Sequence, residues 1–216
     1  MFHAQVITLF PEFFSSALDC SIPARAQKAG LVDFNYIQLR DFSQNKHNRV
    51  DERPYGGGPG MVMQVEPVVK AIAHARQKQP TTRIVLLTPC GQTFNQKKAR
   101  EYASLESVTF ICGRYEGIDA RIVDYIDEEL SIGEFVLSGG EPAALCLLDS
   151  IVRLLPGALG DAQSAVEDSF TEENTLDYPH YTRPVSFEGK VVPKVLMSGN
   201  HAEIARWREK NRAKLK

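Results

Sequence analysis

The chain has 216 residues, 43% of them hydrophobic and 24% charged, with a formal net charge of −2; these values suit one large or two small soluble domains. No apolar run approaches the roughly 20 residues of a membrane span, and the amino terminus lacks the basic region and small-residue cleavage site of a secretory signal, so the cytoplasm is the expected compartment. Cys20, Cys90, Cys112 and Cys146 show no CxxC pair and no Cys/His cluster, which speaks against a zinc site and a disulfide framework and predicts buried thiols.

In chain order, "HAQVITLF" predicts a first strand stopped at Pro11, and "IPARAQKAG" a helix capped by Gly30. "LVDFNYIQL" alternates and is rich in β-branched and aromatic residues, as a second strand is. The polar stretch "RDFSQNKHNRVDERPYGGGPGM" follows as a long loop, a length that in a compact domain is functional or disordered. Then come a helix from "EPVVKAIAHARQKQ", a strand "RIVLLT", a helix near "NQKKAREYAS", a strand "VTFIC", a helix near "IDARIVDYI" and the glycine-rich "SIGEFVLSGGE". The helix after it carries Ala144, Leu147, Leu148, Ile151 and Leu155 on one face and stops before Pro156. The alternation of strand and helix predicts a parallel α/β sheet with its ligand beyond the strands' carboxyl ends. Small, polar and acidic residues at 158–176 mark a linker, and "AEIARWREKNRAKLK" a short basic helix.

Charge is unevenly spread. Residues 1–111 carry 13 basic and 9 acidic side chains, residues 112–177 carry 3 and 15, and residues 178–216 carry 9 and 3. A uniform polyanion-binding surface is thereby disfavoured, while two basic regions remain able to hold a phosphate backbone. Solvated helix faces are the plainer reading of the same counts.

Three glycine turns follow strands: "TPCGQ" (88–92), "CGRYEG" (112–117) and "SIGEFVLSGG" (131–140). In a parallel sheet they open on one edge and can meet at one site. Neither GxxxxGK[ST] nor GxGxxG is present, so a P-loop or dinucleotide site would need a non-standard form. From Ile122 to Val152 there is no lysine or arginine, while Asp124, Asp127, Glu128, Glu129, Glu134, Glu141 and Asp149 supply seven carboxylates. A phosphate fits that setting poorly. S-adenosylmethionine fits it better, because backbone groups can hold its adenine and nearby acids do not repel its sulfonium.

The segments "HNRVDERPYGGGPGMVM", "ICGRYEGIDAR", "SIGEFVLSGGE", "RLLPGALG", "SAVEDSF", "YPHYTRP" and "LMSGNHAEIARWR", in this order over nearly the whole chain, resemble the bacterial tRNA (guanine-N1)-methyltransferases of the TrmD type within the SPOUT superfamily. The resemblance implies an α/β parallel sheet flanked by helices with a C-terminal trefoil knot, in a methyltransferase domain at 1–157. A flexible linker at 158–176 and a small, mainly helical, basic tRNA-binding domain at 177–216 follow. It implies an S-adenosylmethionine site from Leu87, Thr88 and Pro89, from Gly113, Tyr115 and Gly117, and from Ile132, Gly133, Glu134, Phe135, Val136, Leu137, Gly139 and Gly140. It also implies a cytoplasmic homodimer in which each active site joins knot loops of one subunit to linker residues of the other. Glu52, Glu134, Phe135 and Pro142 depart from the family's usual residues, and the tail after Trp207 is shorter than usual.

Methylating guanine N1 requires a base for its proton and a partner for charge moving onto O6, for which a carboxylate and a guanidinium are the natural pair. The resemblance assigns these roles to Asp168 and Arg153. It makes His47, Arg49, Asp51, Tyr55, Arg114, Ser164, Ser169 and Arg183 candidates for gripping tRNA, and Glu116 a contact for Mg²⁺. The expected product is 1-methylguanosine at position 37, 3′ of the anticodon, which supports the reading frame. Ribose 2′-O-methylation of another RNA, and a non-catalytic RNA-binding module, are the alternatives.

Overall fold

The computed structural model describes residues 1–160, 168–172 and 174–214. The chain divides into two compact units, Met1–Gly160 and Asp161–Lys216, a division that falls within the stretch read as a linker. Of the candidate site residues, Ser164 lies outside the described residues, as does much of that stretch.

The first unit runs β1 (Phe2–Thr8), α1 (Ser15–Leu18), α2 (Ser21–Lys28), β2 (Val32–Gln38), β3 (Asp51–Glu52), β4 (Val62–Met63), α3 (Val65–Lys78) and β5 (Arg83–Thr93). It continues with α4 (Gln96–Ala103), β6 (Ser107–Cys112), β7 (Glu128–Ser131) and α5 (Glu141–Val152). Short 3-10 turns lie at Pro11–Phe13, Leu39–Phe42 and Ala120–Tyr125. Five strands form one sheet in the order β2-β1-β6-β5-β7, and every pairing is parallel. Central β6 is buried along its whole length and β1 nearly so, which is why both read as near-continuous apolar runs.

Two apolar layers cover the sheet. On one face, Leu147, Leu148 and Ile151 of α5 pack with Phe14, Leu18, Tyr102, Phe110 and Leu130. On the other, Val68, Ala71, Ile72 and Ala75 of α3 pack with Ile7, Ile37, Ile84 and Ile111. The helices form because their apolar residues recur at three- and four-residue spacing, facing these layers. Asn95 caps α4 by accepting from the Lys98 amide at 3.0 Å, and Pro142 sits in the first turn of α5, where its missing N–H costs nothing.

Four expectations need correction. The segment "IDARIVDYI" is a 3-10 turn, Ala120–Tyr125, in which only Ile122 is buried, so it offers no apolar stripe to hold an α-helix. The long polar loop opens in a 3-10 turn, Leu39–Phe42, and contains β3, which pairs antiparallel with β4 just beyond the loop. Helix α5 ends at Val152, and Leu155 is buried from the turn beyond it. Only Cys112 is a buried thiol; Cys20, Cys90 and Cys146 are exposed. Cys146 lies on the solvent side of α5, between the buried positions Ala144 and Leu147.

In the second unit, β8 (Ser186–Phe187) pairs antiparallel with β9 (Lys190–Val191), followed by a 3-10 turn at Lys194–Met197 and α6 (His201–Lys210). Asn200 caps α6 by accepting from the Glu203 amide. Arg208 lies 5.1 Å over the Tyr178 ring, and Tyr181 meets Trp207 edge to face. No helix among the described residues is long and apolar enough to cross a membrane.

Candidate active site

The site is built where β5, β6 and β7 end. Strand β5 pairs Leu87 with Leu130 and then Gln92 with the same Leu130, so Thr88–Gly91 bulge out of the sheet between the two pairings. The expected turn is therefore a loop inside a longer strand. It is pinned by Gly91, where a Cβ would come 2.4 Å from the Leu130 amide nitrogen.

From β6 the chain enters Gly113–Ile118, which the long polar loop braces. The Glu116 amide donates to Met61 O at 2.9 Å, the Met63 amide to Gly117 O at 2.9 Å, and the Arg114 amide to Met63 Sδ at 3.0 Å. Tyr115 takes a left-handed backbone conformation, φ 62°, and is half exposed. From β7 the third loop crosses back: Arg114 and Gly139 form an antiparallel bridge and the Gly140 amide donates to Gly113 O at 2.9 Å. Hydrogen bonds between Ser131 and Gly133 shape its start.

These loops enclose a cleft of about 590 Å³. Leu87, Thr88, Pro89, Gly113, Tyr115, Gly117, Ile132, Gly133, Phe135, Val136, Leu137, Gly139 and Gly140 all line it, so thirteen residues named from three separate stretches meet at one place. Glu134 is exposed and is not among the lining residues. Leu86, Cys90, Ile118, Ile122, Glu129 and Ala143 line it as well and were not anticipated. For Leu86 the signal is strand alternation, since it belongs to the core layer opposite that of its neighbour Leu87; Ile122 joins that layer from a 3-10 turn that offers no such period.

The seven carboxylates are distributed differently from what their count suggests. Asp127 accepts from the Ile84 amide at 2.7 Å and pairs with Arg76. Glu128 pairs with Lys98 and accepts the Tyr102 hydroxyl at 2.5 Å, away from the cleft. Glu141 is fully buried against Arg114 and Thr8. Of the seven, only Glu129 lines the cleft, joined there by Glu116 from the neighbouring loop. Burial, reinforced by Glu141, holds the Cys112 thiol well above its usual range, so this cysteine stays protonated and is a poor nucleophile.

The other candidates spread outward. His47, Arg49 and Tyr55 are exposed on the long loop and Asp51 starts β3. The Arg114 side chain turns inward, only 18% exposed. Arg153 closes the carboxyl end of α5, its amide bonded to Asp149 O at 3.2 Å. Asp168, Ser169 and Arg183 belong to the second unit: the Ser169 amide donates to Asp168 Oδ1 at 3.1 Å, the Ser169 hydroxyl accepts from the Asp177 amide, and Arg183 is exposed. Among the described residues no group of three or more His, Cys, Asp or Glu gathers to hold a metal.

Residues 2–215 match the family described as tRNA (Guanine-1)-methyltransferase TrmD. The chain is a member of that family. It is 53% identical over 207 residues to a tRNA (guanine-N(1)-)-methyltransferase of Aliivibrio salmonicida, covering 95% of this chain and 83% of the relative. It is 50% identical over 207 residues to one of Carboxydothermus hydrogenoformans, covering 95% and 81%. A crystal structure of tRNA (m1G37) methyltransferase from Aquifex aeolicus superposes with a TM-score of 0.80 at 37% identity, covering 95% of this chain and 87% of that one. The parallel sheet flanked by helices agrees with that membership, and its third loop returns to the second.

Proposed function

We propose that the chain transfers a methyl group from S-adenosylmethionine to N1 of the guanosine at position 37 of tRNA. The observation that carries this reading is the convergence of the three glycine loops on one cleft in a member of the TrmD family. The cleft suits the donor in its chemistry. Its walls are backbone and apolar side chains, suited to adenine, and its acids, Glu116 and Glu129, are compatible with a sulfonium.

S-adenosylmethionine supplies an electrophilic methyl group when bound. The chain's own residues supply the rest. Leu87, Ile132 and Leu137 give apolar surface to the adenine, while the bare backbone at Gly113, Gly139 and Gly140 lets main-chain groups approach the ligand. Asp168 takes the proton from guanine N1 as methyl transfer proceeds, and Arg153 offers its fixed fork of donors to O6, stabilising the negative charge that moves there. The target base leaves its stack to reach them. Glu116 offers one carboxylate to Mg²⁺, an ion that commonly takes one or two together with waters and substrate oxygens, and no step here depends on it.

The active form is a homodimer in which Asp168 of one subunit serves the cleft of the other. The first 157 residues form the methyltransferase domain, 158–176 the linker, and 177–216 a tRNA-binding domain. His47, Arg49, Asp51 and Tyr55 grip the anticodon stem-loop together with Ser164, Ser169 and Arg183, while Arg114, whose side chain turns inward, is left out of that grip.

The test is the product nucleoside from labelled S-adenosylmethionine and anticodon stem-loops bearing guanosine, adenosine or inosine at the target position. Label in 1-methylguanosine supports the reading; label on a ribose, or equal transfer to adenosine, overturns it.

A further inference from the structure

Glu141 opens α5 and has no solvent exposure, a rare setting for a carboxylate. Oε1 is hydrogen-bonded, while Oε2 is held by an ion-pair contact alone and, like Nε of Arg114, is buried with no hydrogen-bond partner among the described residues. The Thr8 hydroxyl donates to Oε1 at 2.7 Å, and Nη2 of Arg114 stands 2.9 Å from Oε2. The same guanidinium donates through Nη1 to Ser138 O at 3.2 Å and lies 4.5 Å over the Phe10 ring. Arg114 passes so close over Gly139 that a Cβ there would meet its Nε at 2.2 Å. One ion pair thus joins the end of β1, the loop after β6, the loop after β7 and the first turn of α5.

We infer that Glu141 is a positioning residue: by fixing the Arg114 guanidinium it locks the Gly113–Arg114 segment to Ser138–Gly140 and so holds two walls of the donor cleft at their working separation. This rests on the donor reading given above. The physical argument is one of alternatives. An isolated buried charge is strongly unfavourable, so Glu141 and Arg114 hold each other or neither stays in place. Packing alone would be served as well by an apolar pair, yet an apolar pair could not bond Thr8 and Ser138 O at once. The glycine under the arginine fits the same purpose, since any side chain at 139 would push the guanidinium off its seat. Such a clamp governs donor binding, whereas an arginine reaching for RNA would govern RNA binding.

The experiment measures methyl-transfer kinetics and RNA binding for the full chain and for Glu141→Gln and Arg114→Lys. Glutamine keeps the size of Glu141 but sets an amide donor or a neutral oxygen against the guanidinium. Lysine keeps the charge of Arg114 but loses the fork. The clamp predicts that KM for S-adenosylmethionine rises about tenfold or more in both variants, kcat changes less than about threefold, and stem-loop affinity stays within about twofold. A residue needed only for folding would instead lower kcat with KM unchanged, through a smaller active fraction. That result, or donor KM within about twofold of wild type in folded variants, overturns the proposal. Should Glu141→Gln fail to fold by circular dichroism, Arg114→Lys decides alone: loss of stem-loop binding with unchanged donor KM contradicts the clamp. Failure of the wild-type chain to bind S-adenosylmethionine at all would bring down the functional reading, and the clamp with it.

Discussion

Gly140 lies directly against Cys112: a Cβ at Gly140 would stand 2.7 Å from the Cys112 Cα and 3.1 Å from the Gly113 nitrogen. Two loops separated by more than twenty residues therefore touch backbone to backbone, and the first turn of α5 starts from that contact. Because the obstacle is main chain, no side-chain rotation relieves it. Gly140→Ala is expected to cost about 1–3 kcal/mol in stability, the usual range for overpacking, and to weaken S-adenosylmethionine binding by about tenfold or more. Urea unfolding and calorimetry measure the two effects.

Tyr102, buried in the core layer of α5, sends its hydroxyl to Glu128, which also pairs with Lys98. Burial, then the hydrogen bond to Glu128, pushes the phenol far above its usual range, so it stays a donor at all working pH values. This cluster stands at the start of β7, away from the cleft. Tyr102→Phe should lower stability by about 1.5 kcal/mol, the low end for a bond to a charged group because Lys98 still holds Glu128. Donor KM should not change. A chemical denaturation curve beside a kinetic titration separates the outcomes.

Asp119 caps the 3-10 turn beside the cleft and takes three bonds from Arg121, one from its amide and two from its guanidinium. The side-chain bond from Arg121, then that from its amide, lowers the carboxyl to about 2. A depressed carboxyl contributes stability that is complete above the unfolded value of 3.8 and is lost as pH falls through about 2. Asp119→Asn should therefore be less stable than wild type at pH 7, and the gap should close between pH 4 and pH 2. Arg121 is largely exposed, so solvent screening should keep the gap small. Urea midpoints at pH 7, 4 and 2.5 provide the comparison.

Strands β1 and β2 and helices α3 and α5 were legible because burial imposes a period, and the period survives in one dimension. The 3-10 turn at Ala120–Tyr125 was not, since one buried residue, Ile122, leaves no period to read. Strand β7 hides behind two glutamates because Glu128 is paired with Lys98 and hydrogen-bonded by Tyr102, thirty and twenty-six residues away. The carboxylate count pointed to the right kind of ligand for an incomplete reason. Asp127, Glu128 and Glu141 are bound to partners inside the fold, and what bears on the cleft is Glu129 with Glu116. The inward turn of Arg114 was likewise invisible, because its partner Glu141 follows twenty-seven residues later with no repeating pattern between them.

The central claim is that Asp168 removes the proton from guanine N1 while the glycine-loop cleft holds the donor. It is tested most directly by single-turnover methyl transfer to a guanosine-bearing stem-loop with wild type and Asp168→Asn, with donor binding measured on the same preparations. The account predicts that Asp168→Asn binds S-adenosylmethionine as wild type does and loses about a hundredfold or more in rate, the range for a general base. Transfer by Asp168→Asn at the wild-type rate would contradict it.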